Sequence, residues 1–143
     1  MSLRIYDSNN SESAYSVSGN NTNPYYIAAN GTYGEIVEER KYLRNNEVGK
    51  VYSGVQLQYL DVGGGLDMVD GTNGISMKLN EGDTQPTESQ WDYISPGNTI
   101  SFPIVSGISS YLPFWSRVEV PSSAPVQLID DVILKITGTE ILS

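Results

Sequence analysis

Apolar and polar residues alternate one for one in several short stretches of this chain. A β-strand is the regular backbone that suits such a pattern, because successive side chains point to opposite faces. Leu3 and Ile5 flank Arg4 in LRIY, and Val55, Leu57 and Tyr59 share a face against Gln56 and Gln58. Ile75, Met77 and Leu79 oppose Ser76, Lys78 and Asn80, while Ile100, Phe102 and Ile104 oppose Thr99, Ser101 and Pro103. Val132, Leu134 and Ile136 oppose Ile133, Lys135 and Thr137. Each segment reads as an antiparallel strand with one buried and one wet face. Pro103 marks its strand as an edge, since proline cannot donate to a ladder. Gly34 to Asn45, GEIVEERKYLRN, lacks a clean helical spacing of its apolar residues and reads as a strand with a bulge. No other segment carries a helical pattern.

The punctuation between these segments is turn chemistry: SNNSES, SGNNTNP, NGTYG, NNEVGK, DGTNG, NEGD and SPGN. Gly and Asn tolerate the positive φ of tight turns. Short strands separated by such turns predict an all-β fold, an antiparallel β-sandwich of jelly-roll or Ig-like kind. The 143 residues suit one average domain. Residues 1–30 are Ser/Asn-rich and read as an arm or peripheral strands, and residues 31–143 as the sandwich domain.

Composition removes several classes of function. Eight basic residues against seventeen acidic ones give a net charge of −9. A nucleic-acid binder carries a basic stripe that displaces counterions. Here the only basic concentration, Arg40, Lys41 and Arg44, is interleaved with Glu38 and Glu39, so neither nucleic acid nor an anionic membrane is an expected partner. An acidic chain is suited to a basic partner surface. Cys and His are both absent, which excludes disulfides, thiolate nucleophiles and Ser-His-Asp or Cys-His mechanisms. MSLRIYDSNN has no basic segment leading into an apolar one, and no stretch approaches the ~20 apolar residues that span a bilayer. The expectation is synthesis in a cytoplasm.

The candidate chemistry is thin. Asp61, Asp67, Asp70 and Asn73 lie in the glycine-rich LDVGGGLDMVDGTNG, with oxygen ligands of the kind calcium takes, but their spacing fails the EF-hand pattern. Turn-capping is the ordinary role of such residues. Glu38 and Glu39, adjacent on a strand, point to opposite faces and cannot form a glycosidase pair across a cleft. Gly63 to Gly65 lack the flanking Lys and helix of a phosphate loop. Sequons at Asn9, Asn20 and Asn30 carry no weight without a secretory signal. No catalytic residue, cofactor or metal site is expected.

The aromatics remain. In SSYLPFWSRVEVPSSAP, alternation puts Phe114, Ser116, Val118 and Val120 on the apolar face and Trp115, Arg117 and Glu119 on the other. Trp115 therefore points toward water unless a bulge near Pro113 reverses the register. Large aromatics serve cores, sugar platforms and protein interfaces alike. Tyr111, Phe114, Trp115 and Arg117 are the candidate partner-contact residues, because Trp, Tyr and Arg are enriched where binding energy concentrates.

Three stretches together, KYLRNNEVGKVYSGVQLQYLD (41–61), EGDTQPTESQWDYISPGNTISFP (81–103) and SYLPFWSRVEVPSSAPVQLIDDVILKITGTE (110–140), resemble small all-β virion proteins of tailed bacteriophages. The nearest role is head decoration, or cement. The resemblance implies a non-enzymatic structural protein on the capsid surface that bridges subunits of the major capsid protein. It also implies a homo-oligomer, such as a trimer at a capsid symmetry axis, made in the host cytoplasm. The alternatives are a tail, neck or baseplate component, or a carbohydrate-binding β-sandwich module with Trp91 and Trp115 lining its platform.

Overall fold

The computed structural model describes residues 3–7, 34–61, 69–71, 74–107, 111–122 and 132–142. Seven strands and one short helix occur among them in the order β1 (Leu3–Tyr6), β2 (Glu35–Asn45), β3 (Lys50–Asp61), β4 (Ser76–Glu81), α1 (Glu88–Asp92), β5 (Thr99–Phe102), β6 (Leu112–Val120) and β7 (Val132–Leu142). They form two antiparallel sheets, β1-β2-β6-β4 and β5-β3-β7, packed against each other as an all-β sandwich. The core between them is built from the apolar sets read off the alternation. Leu3 and Ile5 come from β1, Val55, Leu57 and Tyr59 from β3, Met77 and Leu79 from β4, and Phe114 and Val118 from β6. Leu3–Tyr6, within the Ser/Asn-rich first thirty residues, is thus an edge strand whose apolar side chains enter the core. Residues 8–33 lie outside the described residues, as do Gly63 to Gly65 and most of the Asp-rich stretch.

The structure departs from the sequence reading at specific points. β2 is a strand, but it pairs with β6 from Glu35↔Val120 to Leu43↔Leu112 with no shift of register. The bulge belongs to β3 instead, between Ser53 and Gln56. Tyr52 and Val55, three positions apart, are both buried, and strict alternation cannot achieve that. The extra residue restores the phase. Gly54 supplies it at φ 58°, a left-handed conformation that a side chain disfavours. β6 carries no such device near Pro113, so Phe114, Ser116 and Val118 face the core as read.

The strand expected through Ile104 ends at Phe102. Val105, not Ile104, turns inward, exchanging backbone hydrogen bonds with Tyr52 at 3.0 and 2.9 Å. Ile104 stands 64% exposed. Ser76 and Lys78, expected at a wet face, are buried: Lys78 donates to the carbonyl of Trp91 in a helical segment that the strand pattern did not predict, and Ser76 bonds to Glu119 and bridges to Asp70.

Asn45 organises the β2–β3 turn from a buried position. Its amide donates to Lys50 O at 2.7 Å and its oxygen accepts from Glu47 N at 3.1 Å. The segment after β5 then packs on this turn so closely that a Cβ at Gly107 would lie 2.4 Å from Glu47 O.

Leu57 is buried on the central strand of the three-stranded sheet. Leu57→Ala is expected to cost about 2–5 kcal/mol and to lower the thermal midpoint by roughly 10 °C. Val48→Ala, at a turn position 78% exposed, is expected to leave the midpoint within about 2 °C. Circular-dichroism melts of the two variants, falling together, would contradict the assignment of the core.

Candidate functional site

The outer face of the four-stranded sheet is where sequence reasoning placed Trp115 and Arg117, and among the described residues it gathers a dense set of charged and polar side chains. β6 contributes Trp115, Arg117 and Glu119 to this face, β2 contributes Ile36, Glu38, Arg40, Tyr42 and Arg44, and β4 contributes Lys78 by its pairing with Arg117. Residues 82–98 cross this face and carry α1. The helix starts at TESQ, where Thr87 N–H donates to the Gln90 side chain at 2.8 Å, the return half of a capping box. Five residues of helix are too few to persist alone in water, so contacts with the sheet hold α1 in place.

Trp91 is the apolar part of that contact and is fully buried. Arg117, 1% exposed, lies beside it with its guanidinium carbon 5.8 Å from the ring centroid. Its two terminal nitrogens grip Glu88 of α1 at 3.1 and 2.8 Å, a bidentate pair. Glu38 Oε1 stands 3.3 Å from Nη1 and Glu119 Oε1 2.9 Å from Nε. The Nε–H is not aligned for a hydrogen bond to Glu119, so that contact is an ion pair without the directed bond. Lys78 Nζ lies 3.7 Å from Glu119 and donates to the carbonyl of Trp91 at 3.4 Å. A guanidinium is tolerated under the helix because three carboxylates surround it, and each of them still reaches solvent. The hydrogen bond from Arg117 holds Glu88 below its usual carboxylate range, and the same bond, against the opposing effect of burial, raises Arg117.

The rest of the segment is fastened by polar groups as well. Asn98 accepts from Leu79 N at 2.8 Å and donates to Leu79 O at 2.6 Å, acting as a surrogate strand neighbour at the free edge of β4. Gly97 N donates to Met77 O at 2.8 Å, and Gln85 reaches Glu38 at 2.6 Å. The Trp115 indole N–H donates to Asp83 O at 3.0 Å.

Beyond this strap the face continues as an aromatic and cationic row. Arg40 sits 5.9 Å from the Trp115 ring and 5.6 Å from that of Tyr42. Tyr111 meets Tyr42 and Tyr6 edge-on, at 6.3 and 5.2 Å. Arg44 lies over Tyr111 at 4.6 Å and donates to its hydroxyl at 3.0 Å.

No family model matches the chain, and no curated protein or solved structure matches it.

The four candidate contact residues separate in the structure. Tyr111 and Trp115 are half-buried on the outer face. Phe114 lies in the core, edge-on to Phe102 at 6.1 Å, because the unbroken register turns it inward. Arg117 points outward as read, but α1 covers it. Neither Phe114 nor Arg117 is presented to a partner. Trp91, assigned to a sugar platform in the carbohydrate reading, is inside the clamp and lines no surface. Reading strands alone missed the Glu88–Arg117–Trp91 cluster. Its signal in the sequence was the T-x-x-Q pattern of Thr87 and Gln90 just before Trp91. Among the described residues no three His, Cys, Asp or Glu side chains gather to hold a metal ion, and the carboxylates around Arg117 are engaged by a permanent cation.

Two outcomes test the clamp. Arg117→Met keeps the apolar stem and removes the charge; it is expected to leave the sandwich folded, with Trp91 emission shifted to the red and more readily quenched. Unchanged Trp91 emission would show that the ion pairs do not hold the helix. Acid provides the second. Because Glu88 is depressed in the folded state, its stabilising contribution is present above the ordinary value of 4.5 and is lost as pH falls through its lower folded value. The near-UV signal of Trp91 is therefore expected to weaken in acid before the far-UV strand signal, and Glu88→Gln is expected to remove that separate step.

Proposed function

We propose that this chain is a non-catalytic structural protein of a tailed-phage virion, a head decoration protein that bridges capsid subunits. One observation supports the reading beyond the resemblance: large apolar side chains stand in water on more than one side of a small, tightly fastened sandwich. Val48 and Ile104 project at the β2–β3 end, 78% and 64% exposed. Ile36, 55% exposed, and Tyr93, 91% exposed just after α1, project from the outer face of the four-stranded sheet and its strap. Scattered exposed residues are ordinary on a monomer. Exposure of this degree on separate sides fits a tile that meets neighbours on each of them. The strap adds rigidity to the face that carries Trp115 and Tyr111. The major capsid protein is the proposed partner, with a homo-oligomer as the working form.

A tail, neck or baseplate position would use the same surfaces, and the particle fraction that retains the protein distinguishes it from the head. Of the two tryptophans in the carbohydrate reading, only Trp115 reaches the surface, half-buried and bonded to Asp83.

Heads assembled without this chain are expected to retain the purified protein on sedimentation. A Val48→Ser, Ile104→Ser variant is expected to lose at least about tenfold in retention, equivalent to roughly 1.4 kcal/mol, with its thermal midpoint nearly unchanged. No retention of the wild-type chain would sink the head assignment.

A further inference from the structure

An uncovered sheet edge presents a row of unpaired N–H and C=O groups, and proteins shield such rows. Three of the sheet edges in this sandwich are short or met by polar groups. β1 and β5 are four residues each. β5 ends just before Pro103, and its Ser101 N–H donates to the Glu81 carboxylate at 3.4 Å. Asn98 meets the edge of β4. β7 is different. Val132–Leu142 runs for 11 residues and, among the described residues, pairs with β3 alone. It contains no proline, and Lys135 is its one basic residue. The bulge in the β3–β7 ladder lies on β3, so β7 keeps an unbroken alternation.

Exposure along β7 matches an open edge. Lys135, Thr137, Thr139, Glu140 and Ile141 are exposed. On the core face, Leu134 and Ile136 lie opposite Tyr59 and Leu57 of β3. The two β3 residues are buried, whereas Leu134 and Ile136 pack on the core only half-buried. One further strand would both pair the ladder and finish covering those side chains. The strand is also complementary to itself. Laid antiparallel on a copy of itself about Thr137, every residue from Val132 to Leu142 gains an opposite number. In that register Ile133 faces Ile141, and Ile136 faces Gly138, which has no side chain to crowd it. Lys135 faces Thr139, and Leu134 faces Glu140, whose carboxylate lies 3.9 Å from Lys50. No like charges are opposed. Moving the axis to Lys135 shortens the overlap and sets two ammonium groups against each other, which is unfavourable.

We propose that β7 is the seat of a homodimer: two copies join edge to edge about a two-fold axis at Thr137, and their three-stranded sheets become one continuous sheet. A two-fold pairing uses the same surface of both copies, so it closes on itself and leaves neither β7 edge open to a third strand. A second copy is the occupant because the full length of the strand matches itself in a single register. The net charge of −9 on each copy opposes the approach, and the backbone ladder and the apolar cover work against that repulsion. The proposal gives the homo-oligomer of the proposed function a site and a symmetry, a dimer in place of a trimer. It rests on that reading only for the expectation that copies associate.

The test is sedimentation equilibrium of the full chain. The wild type is expected to form a dimer that tightens as salt screens the repulsion between two acidic bodies. Thr137 is exposed, so Thr137→Lys and Thr137→Glu set like charges across the axis without disturbing the core. Each is expected to weaken the dimer by about tenfold or more, with the thermal midpoint of the monomer unchanged, and an equimolar mixture of the two is expected to restore it. Lysine lowers the net negative charge and glutamate raises it, so a loss with both reads the local opposition and not the field of the whole chain. Thr137→Cys gives a second readout in a chain without cysteine. Opposed residues of an antiparallel pair have Cα atoms about 4.5–5.5 Å apart, within disulfide reach, and mild oxidation is expected to link the copies. A wild type still monomeric at about 1 mM overturns the proposal, as does a trimer, or a dimer that both charged variants leave intact. A monomeric wild type whose retention on capsid heads is lost in Thr137→Lys would assign the edge to a strand of another protein and also overturns self-pairing. Dimerisation without retention on heads removes the head assignment alone, and retention of a chain that never dimerises removes this inference alone.

Discussion

A buried guanidinium organises the outer half of this molecule. Arg117 lies under α1 surrounded by opposite charge, and its bidentate pair with Glu88 ties the helix to the sheet. Glu88 supplies the matched pair of oxygens, Glu38 and Glu119 complete the surround, and Trp91 covers the cation with a ring. Each of these carboxylates keeps contact with water, which limits the desolvation that makes fully buried ion pairs costly. Tryptophan burial provides the apolar gain and the charges set where the helix lands. A five-residue helix with one buried side chain has little else to specify its position.

Together with the bonds of Asn98, Gly97, Gln85 and Asp83, that attachment converts a two-layer sandwich into one with a third, partial cover. It explains why Lys78 is buried on a strand whose pattern marks it for water, and the same segment brings Asn98 to the free edge of β4. It also divides the outer face. One half lies under an acidic strap with its arginines matched to carboxylates. The other half, toward β1, continues the same row of arginines and aromatic rings. The division gives this face a polarity that the overall charge of the chain conceals.

Legibility in the sequence followed the range of the interaction. The core positions of β1, β3, β4 and β6 were readable because inward and outward placement depends only on the neighbouring residue in a strand. The bulge was not readable at its true position. Gly54 sits in an alternating run, and nothing local distinguishes it from a glycine that merely interrupts packing. Ile104 was misplaced for a related reason: the pattern continues past Phe102, but the chain leaves the sheet there and Val105 takes the pairing with Tyr52. Of the candidate contact residues, Phe114 was assigned against its own face, while Arg117 was assigned to the correct face without knowledge of what lies over it.

Taken alone, the amino-acid order determines the strand class of this protein, the identity of most core residues and the absence of thiol and imidazole chemistry, because each depends on composition or on a period of two. Tertiary structure alone decided that a face patterned as wet would be half covered, and that Arg117 would meet a carboxylate 29 residues away. The reason is physical. Alternation is a property of adjacent side chains, whereas an ion pair across a sheet face depends on the path of the loop that delivers its partner, and no local preference encodes that path.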